Sequence, residues 1–372
     1  MNFPEGIKTP FYIYNLDKIY SNALSYKHLI TNDVHVLYAT MANARLEIIK
    51  SVSQAGLGVF VNSISHLQNA LKAGLLTSNI VFAGSGHSEK LLEKIAALGV
   101  DFHADSLSQL RKYMSFNPCG RIGLRVNVGS LLQDSIKKDP APRLGMTLEE
   151  ISQAISVYGD KLATLHVYVG TNLLDSYMHC QCLKTLIVLA KRYPSITNID
   201  LGGGFVFSPD DQTDNGMWND VLKLWIELTR DGAPLQLTIE PGRSIVRTAG
   251  KFYVTVTDVK KRGDERFVIV DTSGTWFPRK IIHDIDEHIL FVVGRENEDY
   301  IYPAKICGST TFSKDFLTCT NLPEVTEGDV ICFPTAGAYN EAMHMDFLGI
   351  SAPAIVMCRE GKQWIERENT LY

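Results

Sequence analysis

Two short turns carry the residue types best suited to chemistry in this 372-residue chain. The first is Gly202-Gly203-Gly204, which follows the apolar run Ile199–Leu201. The second is Glu240-Pro241-Gly242-Arg243, at the end of the apolar run Leu235–Glu240. Consecutive glycines let backbone N–H groups approach an anion with no Cβ in the way. Arg243 can add charge-assisted bonds to the same group. Together the turns suit a phosphate. The residues alone also allow two plain tight turns, with Glu240 and Arg243 in a local ion pair. Two further segments hold polar residues after apolar runs: Tyr38-Ala39-Thr40-Met41-Ala42-Asn43 and His166-Val167-Tyr168-Val169-Gly170-Thr171.

The elements that must position these turns follow from the alternation of short β-rich runs with amphipathic helical runs. Strands are predicted at Val34–Ala39, Gly58–Val61, Asn79–Ala83 and Asp101–Ala104, then at Ile122–Asn127, Leu162–Val169, Ile199–Leu201 and Leu235–Glu240. The runs are nearly all apolar, as strands buried on both faces are. Eight such units suggest a closed parallel barrel, with a doubly wound open sheet as the competing arrangement. In a barrel, chemistry gathers at the C-terminal strand ends, where all four polar segments fall. After about residue 246 the texture turns β-rich, with strands predicted at Gly250–Val259, Phe267–Asp271, Ile289–Val293, Tyr302–Ile306, Val330–Phe333 and Ala354–Cys358. The expected domains are a barrel over 25–245 and a β-rich domain over 1–24 and 246–372.

Composition removes other classes. The net charge is −5, so no basic field draws the chain to nucleic acid or to an anionic membrane. Seven cysteines include no CxxC pair, which fits a reduced, zinc-free chain. The opening MNFPEGIKTPFYIYNLDKIY lacks the pattern of a secretory signal, and a cytoplasmic protein without a membrane partner is expected.

The segments TPFYIYNLDKI, YATMAN, DLGGGF, EPGRSIV and GAYNEAMHMDFLG occur in this order over nearly the whole chain. In combination they resemble the fold-type III pyridoxal-phosphate decarboxylases, a group that includes diaminopimelate, ornithine and carboxynorspermidine decarboxylases. The resemblance implies an alanine-racemase-like (β/α)8 barrel, plus a C-terminal β-rich domain that takes in the N-terminal strand. It implies pyridoxal 5'-phosphate as cofactor, an amino-acid-type substrate and a homodimer with shared active sites. Glu240 matches the carboxylate at the pyridine nitrogen. Gly203, Gly204, Gly242 and Arg243 match the phosphate cradle, and Tyr339 a tyrosine near the phosphate. Arg125 matches an arginine on the cofactor side of the fifth barrel strand, and Thr171 stands in place of a serine beside the cofactor.

Departures from the family pattern are as informative. The Schiff-base lysine position is Met41, whose thioether forms no imine. Either an isolated Lys-to-Met replacement or a lysine-free relative explains it. Tyr168 replaces the histidine that stacks on the pyridine ring, with His166 two residues earlier on the same strand face. The segment Gly308–Asp315 keeps Asp315, but Thr311 stands where a cysteine protonates the carbanion, and Phe312 where an acid reads a distal amine. Phe60 replaces another acid. Phe312 points to a larger or less cationic substrate, such as a conjugated biosynthetic intermediate. Met41, Tyr168, Thr311 and Asp315 are therefore the expected catalytic positions. The expected function is decarboxylation of an amino acid or an amino-acid-bearing intermediate, in a form inactivated at position 41. A non-catalytic regulatory protein and an amino-acid racemase are the alternatives.

Overall fold

The computed structural model describes residues 6–29, 33–132, 141–205, 215–231, 234–284 and 289–368. The chain divides into two compact units, Tyr20–Ile245 and Met1–Ile19 with Val246–Tyr372. The boundary thus lies a few residues before the expected residue 25, inside the helix Leu16–Leu24.

After β1 (Phe11–Asn15), eight strands of the first unit close into a parallel barrel. They are β2 (Val34–Ala39), β3 (Gly58–Val61), β4 (Ile80–Ala83), β5 (Asp101–Ala104), β6 (Ile122–Val126), β7 (Leu162–Val167), β8 (Asn198–Asp200) and β9 (Gln236–Ile239). Closure is made by β2 on β9, with Val34 opposite Leu237 and Val36 opposite Ile239, which eliminates the open-sheet alternative. Several of the helices between the strands begin where the sequence offers a cap. Ser63, Ser88 and Ser106 each accept a bond from a backbone N–H of the first turn, and Thr147 with Glu150 forms a reciprocal capping box. All three of the strands β7–β9 end one or two residues earlier than the apolar runs suggest. Residues 168–169, 201 and 240 thus lie in the turns that follow the strands.

The barrel interior is two-sided. Leu37, Phe60, Val81 and Ala83 form an apolar cluster on β2–β4, against which Met41 packs. The β5–β9 side buries His103, Thr164, His166, Asn198, Asp200, Thr238 and Glu240 instead.

The second unit is a mixed sheet. Its strands are β10 (Gly250–Arg262), β11 (Glu265–Val270), β12 (Phe291–Val292), β13 (Tyr302–Cys307), β14 (Phe316–Leu322), β15 (Val330–Phe333), β16 (Ala354–Arg359) and β17 (Lys362–Arg367). The order β14-β13-β11-β10-β1-β16-β17 puts the N-terminal strand at its centre, antiparallel to β10 and parallel to β16. β14 and β17 are absent from the sequence reading. β17 is an edge strand with five of its six residues exposed, so no apolar alternation marks it. Among the described residues no helix is long and apolar enough to cross a membrane.

Candidate active site

The site is assembled from turns at the C-terminal ends of β7, β8 and β9. Gly202 and Gly204 hold left-handed φ values of 63° and 111°. A Cβ on Gly203 would lie 2.3 Å from the Glu240 carbonyl oxygen, and one on Gly204 only 2.1 Å from that of Gly170. No other residue type fits either position. The Glu240 N–H donates to Gly202 O (2.8 Å), and Pro241 O accepts from Ala39 N (3.0 Å), so the two glycine-bearing turns and the end of β2 are tied together. Sequence reasoning missed the buttress of this cradle. His179, fully buried, meets Gly203 O through Nε2 at 3.0 Å and packs on Phe205 and Trp218. Burial lowers its pKa to about 4, so the ring is neutral and Nε2–H is the donor. A lone histidine in a helix gives no sign of this in the sequence.

Glu240 anchors the inner end of the site and is 5% exposed. Burial pushes its carboxyl up to about 7, while a hydrogen bond with Asp200 and the charge of Arg125 pull the other way. Asp200 is raised well above the usual carboxylate range, by burial first and then by the Glu240 charge. Each carboxyl shifts the other, so the pair titrates as a unit. No protein donor reaches Glu240 Oε1 or Asp200 Oδ2. His166 Nε2 lies 3.4 Å from Glu240 Oε1. Burial lowers its pKa to about 4, which keeps the imidazole neutral there. Phe60 stacks on the His166 ring at 5.5 Å, so the aromatic residue that departs from the family pattern fills the space beside the acid pair.

The other expected residues sort into two groups. In the barrel, Arg125 lies 3.6 Å from Asp105 and 5.8 Å from the Tyr168 ring centroid, and the Tyr168 hydroxyl pairs with Thr171 Oγ1 at 2.6 Å. Asp105 is a second residue missed by sequence reading. It accepts from Ser85 Oγ and from Gly145 N, which fixes the anion that orients Arg125. Met41 sits on the apolar cluster, and none of the buried described residues is a lysine.

In the second unit, Asp315 is buried and accepts from Ser273 Oγ (3.0 Å), Gly274 N (2.6 Å), Thr310 N (3.1 Å) and Thr310 Oγ1. With both oxygens so occupied, the carboxylate organises the 308–315 loop and has little capacity left for a substrate. Thr311 is exposed on that loop. Tyr339 has a left-handed φ of 55°. That conformation is uncommon for a bulky residue and is held where Gly337 packs against the 246–250 backbone.

This arrangement fits a phosphorylated, ring-nitrogen cofactor: an amide-lined turn only glycine can form, with a buried acid having an unmet acceptor beside it. Residues 16–247 match the family model described as pyridoxal-dependent decarboxylase, pyridoxal binding domain. The chain belongs to the pyridoxal-dependent decarboxylase family. It is accordingly a decarboxylase fold whose cofactor is pyridoxal 5'-phosphate. Diaminopimelate decarboxylase of Helicobacter pylori J99 is 29% identical over 362 residues, covering 90% of this chain and 87% of that protein. The L-glutamyl-(BtrI acyl-carrier protein) decarboxylase of Niallia circulans is 27% identical over 393 residues, covering 98% and 92%. The crystal structure of the Helicobacter pylori diaminopimelate decarboxylase complexed with L-lysine superposes with a TM-score of 0.86 at 25% identity, over 98% of this chain and 95% of that one. These relatives are all decarboxylases, which favours neither the racemase nor the non-catalytic alternative. The cradle and the acid of this decarboxylase fit the cofactor, whereas position 41 lacks the amine.

Proposed function

We propose that this chain is an amino-acid decarboxylase in a form that retains its cofactor site but has lost its imine-forming residue at Met41. The observation that carries this reading is the intact pair of turns, Gly202–Gly204 and Glu240–Arg243, beside an apolar Met41. Pyridoxal phosphate supplies the electron sink for the carbanion left when an α-carboxylate departs as CO₂. In this reading Gly203, Gly204, Gly242 and Arg243 bind the phosphate, with Tyr339 as a further phosphate contact. Glu240 holds a proton at the ring nitrogen. Arg125, oriented by Asp105, and Tyr168, tied to Thr171, border the ring. Met41 occupies roughly the volume of a lysine stem but neither bonds nor relays a proton.

The substrate is an amino acid or an intermediate bearing one, with a distal part that is not a simple amine. Phe312 meets Phe347 edge to face at 5.5 Å, which makes the loop of Thr311 apolar where an acid would serve a cationic chain. The relative acting on an L-glutamyl acyl-carrier protein fits a carrier-bound substrate of this kind. A homodimer with shared active sites is part of the same reading.

The deciding experiment is the absorbance of the purified protein with pyridoxal phosphate, compared with Met41→Lys. The unsubstituted chain should bind the cofactor reversibly, without the visible protonated-imine band. The variant should show that band, lose it on borohydride reduction and release CO₂ from its substrate. Steady CO₂ release by the Met41 chain would refute the reading.

A further inference from the structure

Barrels of this kind are usually sealed at the N-terminal end by packed side chains. This one is open there. A cavity of about 110 Å³ enters among His35, Asn79, Asp101 and Arg121, at or just before the starts of the strands. It rises past Thr164, Asn198 and Thr238 to His103 and Asp200. Its walls carry a ready hydrogen-bond chain: Thr238 Oγ1 donates to Asn198 Oδ1 (3.0 Å), and Asn198 Nδ2 to Thr164 Oγ1 (3.3 Å). The volume is enough for several water molecules, and the lining offers polar partners for them.

At the top of the cavity His103, His166 and Asp200 present ligand atoms within 4.8 Å of one another. All three residues are at most 3% exposed, and His103 Nδ1, His166 Nδ1 and Asp200 Oδ2 have no protein partner. Groups sharing one water at about 2.8 Å lie about 4.6 Å apart. The three atoms lie within that reach, so one bound water can bridge them as a hub. Both histidines are held neutral by burial, so each ring has one donor and one acceptor. Besides Asp200 itself, the charged groups acting on the hub are Glu240, Arg125, Asp105 and Arg121, with Asp101 also in the cavity lining.

We propose that this shaft is a proton port, which supplies the Asp200–Glu240 pair with protons from solvent at the end of the barrel opposite the cofactor. Once the pair has given up the proton it shares, a hydronium at the hub protonates the Asp200 carboxylate and is left as water; Asp200 passes the proton to Glu240, and the doubly ionised pair becomes singly ionised again. No other protein group changes charge. Asp200 is thus a positioning residue for Glu240, and the inference rests on the reading that Glu240 faces the cofactor.

Exchange of the shared carboxyl proton for deuterium, followed by the infrared shift of the buried acid C=O stretch after mixing with D₂O, tests the port. With pyridoxal phosphate covering the mouth, exchange in the wild type should continue at the rate of the cofactor-free protein. Asn198→Leu, of nearly the same volume but unable to hydrogen-bond, should slow exchange in the cofactor-bound state by about tenfold or more. Exchange abolished by the cofactor, or unaffected by a folded Asn198→Leu protein, would overturn the port. Should Asn198→Leu fail to fold, the cofactor-bound wild type decides alone. Should pyridoxal phosphate not bind, the proposed function falls, and the cofactor-free comparison of the two proteins still tests the port.

Discussion

Glu240 shows how much of this chemistry depends on where one carboxyl is placed. Its pKa is raised from about 4.5 toward 7 by burial, so its ionised form is the costly one in the folded, cofactor-free protein. A carboxyl whose folded pKa is raised contributes stability below its unfolded pKa and loses it as pH climbs through the folded value. Glu240→Gln removes that loss. The melting temperature of the variant relative to wild type should therefore grow from pH 4.5 to pH 7, with a stability slope of up to about 1.4 kcal/mol per pH unit. Calorimetry across that range checks it, and a pH-independent difference would mean that Glu240 is not the titrating group. His166 acts in the opposite sense. Its pKa is lowered to about 4, so its neutral form stabilises the fold above the unfolded value near 6.5, and that contribution is lost as pH falls toward 4.

At the scale of elements, the cradle is a backbone device. Gly204→Ala places a Cβ on the Gly170 carbonyl at a φ of 111°, so the turn must open. A loss of about 1–3 kcal/mol in unfolding free energy is expected, with at least tenfold weaker pyridoxal phosphate binding by fluorescence titration. The loop at Asp315 is held differently. Asp315→Ala leaves two backbone N–H groups and two hydroxyls without their shared acceptor, and should cost about 3 kcal/mol in urea unfolding. A catalytic role alone would leave stability unchanged. The barrel and its glycine turns were legible in the sequence because buried parallel strands leave continuous apolar runs and because only glycine tolerates those φ angles. Asp200, Asp105, His103 and His179 were not, since their meaning arises from strands and helices that meet only after barrel closure. The ladder of β14 was hidden for a related reason. Its sequence, FLTCTNL, carries polar residues among the apolar ones and shows no strand pattern by itself, and its antiparallel pairing with β13 exists only once the turn at Gly308–Asp315 is formed.

For the whole molecule, the shared-site reading expects a homodimer. Sedimentation equilibrium at micromolar concentration should give about twice the 41.4 kDa chain mass. A monomer that binds cofactor normally would remove that part of the proposal. The place of β1 carries a different consequence. Phe11–Asn15 is the inner strand between β10 and β16, pairing with residues near 250 and again with Ala354–Cys358. During synthesis on the ribosome, everything the barrel needs has emerged about a hundred residues before the second of those partners. The earliest strand made must therefore wait, one greasy edge bare, for nearly the last. A nascent chain stalled short of residue 354 should be a preferred chaperone client, whereas one released past it should not.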